Sequence, residues 1–299
     1  MRIRFRTRIL FACLTLAAAT LRAEEPAAAE GAPAAQAQSA QRAVLTVADQ
    51  PLRLIRGAAV YRAGSGVAVQ KDDILETADV GAQVEAGAGA IVALGPHSRA
   101  LVASLAVDGK SPVEMELLQG WIKVYAKGRR AVVVTPALQV TLASGSTIVH
   151  AGGDLDAVFA EEGDQQVARV DDKGRAGPAL KLAVEQYAGV EAGKPRLAPG
   201  RPPHAFVSAL PPSFRDHLAP APDVKNPGKV APTREREADF ADVDDWLAST
   251  LPARRRFVAR FKPRLSDPDF RKALDRALGR SPEWKPVLHP AKASDGSLF

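Results

Sequence analysis

The sequence has 299 residues, of which 46% are hydrophobic, 25% charged and only 5% aromatic, with a single cysteine. This composition suits a folded chain of one or two domains. It excludes a wholly disordered chain, a collagen, a disulfide scaffold and a multispanning membrane protein. The formal net charge is +6, but residues 1–23 contribute five arginines and no acid. Because the remainder carries only +1, the sequence argues against nucleic acid as a partner.

The amino terminus has the layout of a secretory signal peptide. Arginines at 2, 4, 6 and 8 precede a largely apolar stretch of 13 residues from Ile9 to Leu21, and Ala23 follows it. A helix of that length covers roughly 20 Å, short of a bilayer core of about 30 Å. We therefore predict that residues 1–23 are a signal peptide and that the mature chain lies in the periplasm without a transmembrane anchor. Retention of the segment as an anchor is the alternative.

Cleavage after Ala23 would also remove Cys13, the one cysteine of the chain. The mature protein would then have no disulfide, no thiolate nucleophile and no cysteine ligand for a metal. Residues 24–41 contain eight alanines in eighteen positions and no large apolar side chain. Such a segment buries too little surface to offset the entropy of ordering, so we predict a flexible Ala-rich tether.

Residues 43–198 have the pattern of an all-β domain. Short runs rich in Val, Leu, Ile and Ala are separated by Gly or Asp every eight to twelve residues, as in a β-sandwich or roll. Val132, Val133 and Val134 are consecutive apolar residues, which indicates a strand covered on both faces. The predicted strands are 58–61, 90–94, 100–105, 121–126, 131–135, 139–143, 155–160 and 167–170.

The same region carries six short motifs in a fixed order. They are residues 57–60 (GAAV), 72–77 (DDILET), 118–124 (LQGWIKV), 134–136 (VTP) followed by 143–146 (ASGS), 162–163 (EG) followed by Val167, and 191–193 (EAG). In this order they resemble the FecR-domain family, a periplasmic module named after the iron-dicitrate transport regulator, over residues 57–198. The chain departs from the family pattern at Asp72, where glycine is usual, at Ser146, where threonine is usual, and at residues 94–96 (LGP), which replace a DGS hairpin.

The resemblance implies a mainly β, FecR-like sandwich or roll that binds another protein. In that family the module is best known on regulators that control an extracytoplasmic sigma factor from across the inner membrane. That role requires a cytoplasmic segment and a spanning helix, and we expect neither in this chain. The resemblance thus favours the binding module and disfavours the sigma-factor role. The motif residues themselves are expected to set turns and strand pairing, since none is chemically reactive.

Beyond the β region the composition changes twice. Residues 199–238 contain nine prolines, which is typical of an extended Pro-rich linker. Residues 239–290 show helical periodicity in three stretches, 240–247, 257–261 and 267–279, the last beginning with an Asp-Pro cap. Because such short helices are unstable alone, we predict a small bundle with its own core, as a second folding unit. Packing of the helices on the β domain is the alternative.

The sequence offers no catalytic or metal-binding motif. Its five histidines show no pair at metal-ligand spacing, and no Walker A loop, H-E-x-x-H or G-x-S-x-G element occurs. The acidic turn at 152–156, with glutamates at 161–162, lacks EF-hand spacing, so a solvated turn is preferred to a calcium site. We therefore predict a protein that is not an enzyme and has no cofactor and no metal.

One candidate contact site lies on a predicted strand. Trp121, Lys123 and Tyr125 alternate and so project from one face, where they could stack on a sugar ring or grip a protein. The alternative is a second covered face from which Lys123 extends its ammonium to solvent.

A second candidate is the basic run Arg254, Arg255 and Arg256 on a predicted helix surface, which we expect to face outward, either solvated or against an acidic envelope partner.

The preferred function is a non-enzymatic envelope protein whose FecR-like domain binds an unidentified envelope protein, as a scaffold or signal relay. The alternative is a periplasmic protein that binds or cleaves cell-wall glycan, which would require an acid pair or the aromatic face to line a cleft.

Overall fold

The computed structural model describes residues 43–87, 89–105, 111–191 and 197–290, and it is mainly β with short helices near the carboxyl end. The predicted fold class is thus confirmed. The predicted signal peptide and the Ala-rich tether lie outside the described residues. The strands within them are β1 (Ala43–Val47), β2 (Leu52–Arg56), β3 (Ala59–Ala63), β4 (Ala68–Val69), β5 (Ile74–Glu76), β6 (Ala82–Ala86), β7 (Ala90–Leu94), β8 (Arg99–Leu105), β9 (Val113–Ala126), β10 (Ala131–Val134), β11 (Leu138–Leu142), β12 (Gly145–Ala151), β13 (Leu155–Glu162), β14 (Gln165–Val170), β15 (Ala176–Leu182), β16 (Tyr187–Glu191) and β17 (Thr233–Glu237).

The strands form two sheets that share the long strand β9. Sheet A has the order β4-β1-β6-β7-β9-β12-β13-β16, and sheet B the order β17-β3-β2-β5-β8-β9-β10-β11-β14-β15. Neighbouring strands are antiparallel except β9 and β10, which are parallel. Strand β9 passes from sheet B to sheet A at Gly120, whose φ of 93° is in the left-handed region. Glycine adopts this conformation without a Cβ penalty, so one strand can serve both layers.

The main core lies between the two sheets. Val124 contributes to it from sheet A, and Val102 and Val133 contribute from sheet B. Val132 and Val134 point to the opposite face of sheet B, where they join a second buried cluster. The prediction that this strand is covered on both faces is therefore confirmed.

The helices are α1 (His204–Ala209), α2 (Phe240–Ala248), α3 (Arg254–Phe261), α4 (Pro268–Leu278) and α5 (Lys285–Leu288). The three predicted helices correspond to α2, α3 and α4. Asp267 caps α4 as predicted, because its carboxylate accepts hydrogen bonds from the backbone N–H groups of Asp269 (2.9 Å) and Phe270 (3.2 Å). Among the described residues, no helix combines the length and the apolar character that crossing a membrane would require.

Helices α2 to α5, which we call the helical cap (residues 240–288), pack on the outer face of sheet B. Trp246 and Phe261 of the cap share one buried cluster with Ile55, Leu101 and Val132 of the sheet. The predicted bundle with a core of its own is therefore wrong, and the packing alternative holds. The physical reason is that sheet B is apolar on both faces, so its outer face would be exposed to water without the helices.

Residues 199–238 are not an extended linker throughout. They contain α1 and also β17, which pairs antiparallel with β3 at the edge of sheet B. The prolines are compatible with these elements because none lies within β17 or α1. Pro203 precedes α1, and Pro212 begins a 3-10 turn over residues 212–214. The segment therefore links the β-sandwich to the helical cap while packing on the sandwich along its way.

Asp72 occupies the position where the resemblance expects glycine, and its backbone explains that preference. Its φ is 68°, in the left-handed region. Its carboxylate forms an ion pair with Arg256, with 2.9 Å between Nη2 and Oδ1, and both side chains are more than one-third exposed. An exposed ion pair contributes little to stability. The free energy of a substitution at position 72 is therefore set mainly by the left-handed backbone conformation.

We expect Asp72→Gly to be about 1 kcal/mol more stable than Asp72→Ala. Both variants lose the ion pair with Arg256, but only alanine keeps a Cβ in the left-handed conformation. Urea unfolding of the two variants measures the difference. Equal midpoints would show that the backbone relaxes at Asp72 and that the glycine preference has another origin.

Candidate functional site

The aromatic and basic face predicted on β9 lies beneath a strap, residues 203–218, that crosses the outer face of sheet A. Phe206 and Phe214 of the strap are buried in one cluster with Ala93 and Ile148 of the sheet. The strap therefore does for sheet A what the helical cap does for sheet B. The molecule has four layers, in the order strap, sheet A, sheet B and helical cap.

Lys123 lies at the centre of the covered face and is 0% exposed. Its ammonium donates hydrogen bonds to Glu161 Oε1 (2.8 Å) and to the backbone carbonyls of Phe214 (3.0 Å) and Asp216 (2.8 Å) in the strap. Glu161 also accepts a hydrogen bond from the Ser146 hydroxyl at 2.6 Å. All three ammonium protons thus have acceptors, as a buried lysine requires. The interpretation in which Lys123 reaches solvent is wrong, because the strap brings its carbonyls to the amine.

Trp121 lies between two other rings. Its ring centroid is 4.5 Å from that of His150 and 5.2 Å from that of Phe206 in the strap. Trp121 and Tyr125 are both half-buried. With the strap in place, the Trp121 ring packs against His150 and Phe206, which favours the covered-face alternative for this part of β9.

The three arginines of the predicted basic run have different surroundings. Arg254 forms an ion pair with Glu283 at 2.9 Å, and Arg256 forms the pair with Asp72 described above. Arg255 is exposed to solvent. Two of the three side chains therefore make ion pairs within the protein, and Arg255 is the member that faces outward.

A network of buried carboxylates joins sheet B to the helical cap, and no sequence motif signals it. Glu76 and Asp242 are 8% and 5% exposed. Arg53 binds both carboxylates, Arg99 donates to Glu76 at 3.0 Å, and Arg236 of β17 donates to both oxygens of Asp242. Burial opposes ionisation of Asp242, but the hydrogen bonds from Arg236 and the nearby arginine charges outweigh it and lower its pKa.

Glu116 is a second buried carboxylate at this junction, beside the start of α3. It is 1% exposed, and its Oε2 accepts a hydrogen bond from the backbone N–H of Ala253 at 2.9 Å. The Arg256 guanidinium is 3.9 Å away. Burial raises the pKa of Glu116 to about 7, although the Ala253 hydrogen bond and the Arg256 charge act in the opposite direction.

This raised pKa predicts a loss of stability as the pH rises. The unfolded carboxyl ionises near pH 4.5, whereas the folded one keeps its proton until about pH 7. The stabilising contribution is therefore complete below pH 4.5 and is lost as the pH rises through 7, by about 3 kcal/mol. Glu116→Gln keeps the acceptor for Ala253 and should flatten this part of the profile. Urea unfolding of the wild type and of Glu116→Gln at pH 5 and 7.5 tests this prediction. An equal change in the free energy of unfolding of both proteins between the two pH values would contradict it.

The acidic turn at 152–156 is exposed at Gly153 and Asp154, as a solvated turn would be, but Asp156 at its end is buried. Asp156 accepts hydrogen bonds from the Thr135 hydroxyl (2.6 Å) and from the backbone N–H groups of Ala137 (2.8 Å) and Gly152 (3.2 Å). It therefore holds this turn against the loop after β10. Within the described part of the chain, His, Cys, Asp and Glu side chains form no group of three that could hold a metal ion.

Strand β15 is the edge strand of sheet B that is exposed and nearly free of charged residues. Among the described residues it pairs along one side only, with β14, and every residue from 176 to 181 is exposed. Leu180 is 38% exposed, Lys181 is the only charged residue of the strand, and Pro178 is its one residue without a backbone N–H. The opposite edge, β17, has the sequence TRERE, and such charges discourage pairing with another chain. The two edges of sheet B thus differ in their capacity to accept a further strand.

Comparison with known proteins gives limited similarity. No family model matches the chain, and no curated protein matches it. Two solved structures, at 1.65 Å and 2.50 Å resolution, of a protein from Parabacteroides distasonis ATCC 8503 titled "putative anti-sigma factor" are 17% identical to this chain, with a TM-score of 0.37. The similarity covers 46% of this chain and 63% and 62% of the two matched chains, less than two thirds of their length. The FecR resemblance accordingly rests on the sequence motifs alone.

Proposed function

We propose that this chain is an exported, non-enzymatic envelope protein whose FecR-like sandwich binds an extended segment of another protein along β15. The exposed edge of β15 carries the proposal. An edge strand offers unpaired backbone N–H and C=O groups, so an extended partner segment can continue the sheet, while alternate side chains provide specificity. Leu180, exposed in the middle of the strand, supplies an apolar contact for such a segment.

The roles of the buried ionisable groups support an interaction protein. Lys123 fastens the strap, Asp242 joins the helical cap to sheet B, and Glu116 contacts the start of α3. These charged groups are therefore used for packing between layers. Export is supported by the basic and apolar order of residues 1–23, and a partner-binding role by the resemblance of residues 57–198 to FecR domains.

Site-specific photo-crosslinking in the native cells tests this function. A photoreactive residue at position 180 should give a discrete crosslinked species, whereas one at position 235, on the exposed opposite edge, should not. With the photoreactive residue at 176, the additional change Leu180→Lys should reduce the yield several-fold by removing the apolar contact. Identical products from positions 180 and 235, or none from either, would overturn the proposal. Co-sedimentation of the purified protein with peptidoglycan sacculi would instead favour the glycan alternative.

A further inference from the structure

The helical cap carries a concentration of positive charge. Residues 254–290 contain eleven Lys and Arg residues against four Asp and Glu residues, a net charge of +7. The whole chain after residue 23 carries only +1, so the rest of that chain is acidic on balance. A charge imbalance of this size within one structural layer creates a directional field at its surface.

Part of this charge is used inside the protein. Arg254, Arg256 and Arg264 form ion pairs, Arg260 donates to the backbone carbonyls of Ile55 and Asp72, and the exposed Arg271 donates to that of Leu288. Six other cations of the cap are exposed, and no ion pair to them is found among the described residues. These six, which we call the cationic face, are Arg255, Lys262, Lys272, Arg276, Arg280 and Lys285. Asp269 is the one exposed acid between residues 254 and 290.

The cationic face points away from the protein core. The apolar sides of α3 and α4 are buried against sheet B through Phe257, Phe261, Phe270 and Leu274, so their exposed residues lie on the outer side. At the carboxyl end of α4, the side chains at 276, 280 and 285 line a groove of about 950 Å³. The acid in this groove, Asp275, is already paired with His289 at 2.8 Å.

We propose that the cationic face binds anionic lipid headgroups at a membrane surface. Its members are distributed over three helices and their connections, from residue 255 to residue 285, which suits an extended anionic surface better than a single acidic side chain. All four aromatic rings between 254 and 290 are buried, so the face has no platform on which bases of a nucleic acid could stack. The large hydrophobic residues that are exposed elsewhere, such as Val184 and Val207, lie outside this face. Binding would therefore be peripheral and electrostatic, without insertion of side chains into the hydrocarbon.

Electrostatic adsorption of this kind has a defined signature. Each Lys or Arg near an anionic bilayer strengthens binding about fivefold, and the attraction falls off within a Debye length of about 10 Å at 0.1 M salt. The inference goes beyond the binding of a partner at β15, because the two surfaces lie on different parts of the molecule. Either can fail without the other.

Vesicle co-sedimentation tests the inference, using the chain from residue 24 onward, which retains every described residue. The wild-type protein should bind vesicles of phosphatidylcholine with 30% phosphatidylglycerol at low salt and detach from them at 0.5 M NaCl. It should not bind vesicles of pure phosphatidylcholine. The triple variant Lys272→Gln, Arg280→Gln and Lys285→Gln should bind about 100-fold more weakly. Arg280→Gln alone should weaken binding about fivefold, which keeps the test informative if the triple variant folds poorly.

A matched control removes three exposed lysines elsewhere, through Lys127→Gln, Lys173→Gln and Lys225→Gln. It has the same net charge as the triple variant and should retain binding within about threefold of the wild type, because its lysines lie outside the face. Equal losses in the two triple variants, absence of binding to the anionic vesicles, or binding that resists salt would each overturn the proposal. Binding to polyglutamate but not to vesicles would also overturn it, and would assign the face to an acidic protein.

Discussion

Lys123→Met is expected to lower the free energy of unfolding by about 3–5 kcal/mol. The substitution leaves the Glu161 carboxylate, which is 19% exposed, without its cation and the carbonyls of Phe214 and Asp216 without their donor. The strap should detach more readily as a result, so the amides of residues 203–218 should exchange with solvent faster than those of the sandwich. Urea unfolding and hydrogen exchange measure the two effects.

Two controls separate the charge from the general effect of substitution. Lys127→Met, at an exposed position just beyond β9, should change stability by less than about 0.5 kcal/mol. Adding Glu161→Gln to Lys123→Met should restore part of the loss, since no buried charge then remains unpaired. If Lys123→Met were as stable as the wild type, the ammonium would not be what holds the strap on sheet A.

Asp242→Asn is expected to cost about 2 kcal/mol, because the buried carboxylate loses its charge-assisted hydrogen bonds, while Arg236 and Arg53 are more than one-third exposed and remain hydrated. Asp242 also accepts a hydrogen bond from the backbone N–H of Asp239 at 2.8 Å, so the start of α2 would lose part of its capping box. Asp244→Asn, on the same helix outside the network, serves as the control and should stay within about 0.5 kcal/mol of the wild type.

The effect of Asp242→Asn should depend on pH in a defined direction. The folded-state pKa of Asp242 lies below the ordinary value of 3.8, so its stabilising contribution is present above that value and is lost as the pH falls through the lowered pKa. The unfolding free energies of the wild type and the variant should therefore converge in acid. A constant difference down to pH 2 would mean that the ionised carboxylate is not the source of the stabilisation.

Hydrophobic periodicity was sufficient to locate eight of the seventeen described strands and three of the five described helices. The eight predicted strands coincide with observed strands, since alternation and apolar runs report directly on burial, as at Val132 to Val134. The helix beginning at Asp267 was predictable because a cap residue and a proline are local signals. These features depend on neighbouring residues in the chain, so a single sequence contains them.

The features that could not be predicted depend on partners distant in sequence. Lys123 is buried because carbonyls 91 and 93 residues further along the chain accept hydrogen bonds from its amine. Every residue has a backbone carbonyl, so the sequence does not show which carbonyls will lie near Lys123. Asp242 meets Arg53 across 189 residues, and neither residue lies in a motif. The sequence predicts an extended linker where the strap lies, because prolines mark a break in periodicity without showing which surface the chain covers.

Hydrogen exchange of the purified protein, with and without the partner captured at position 180, tests the proposed function most directly. If the partner adds a strand to the sheet, amides in peptides covering β15 should gain protection, while those of β17 at the opposite edge should not change. Protection of the strap or the helical cap, with β15 exchanging at its original rate, would contradict the assignment of β15 as the binding edge.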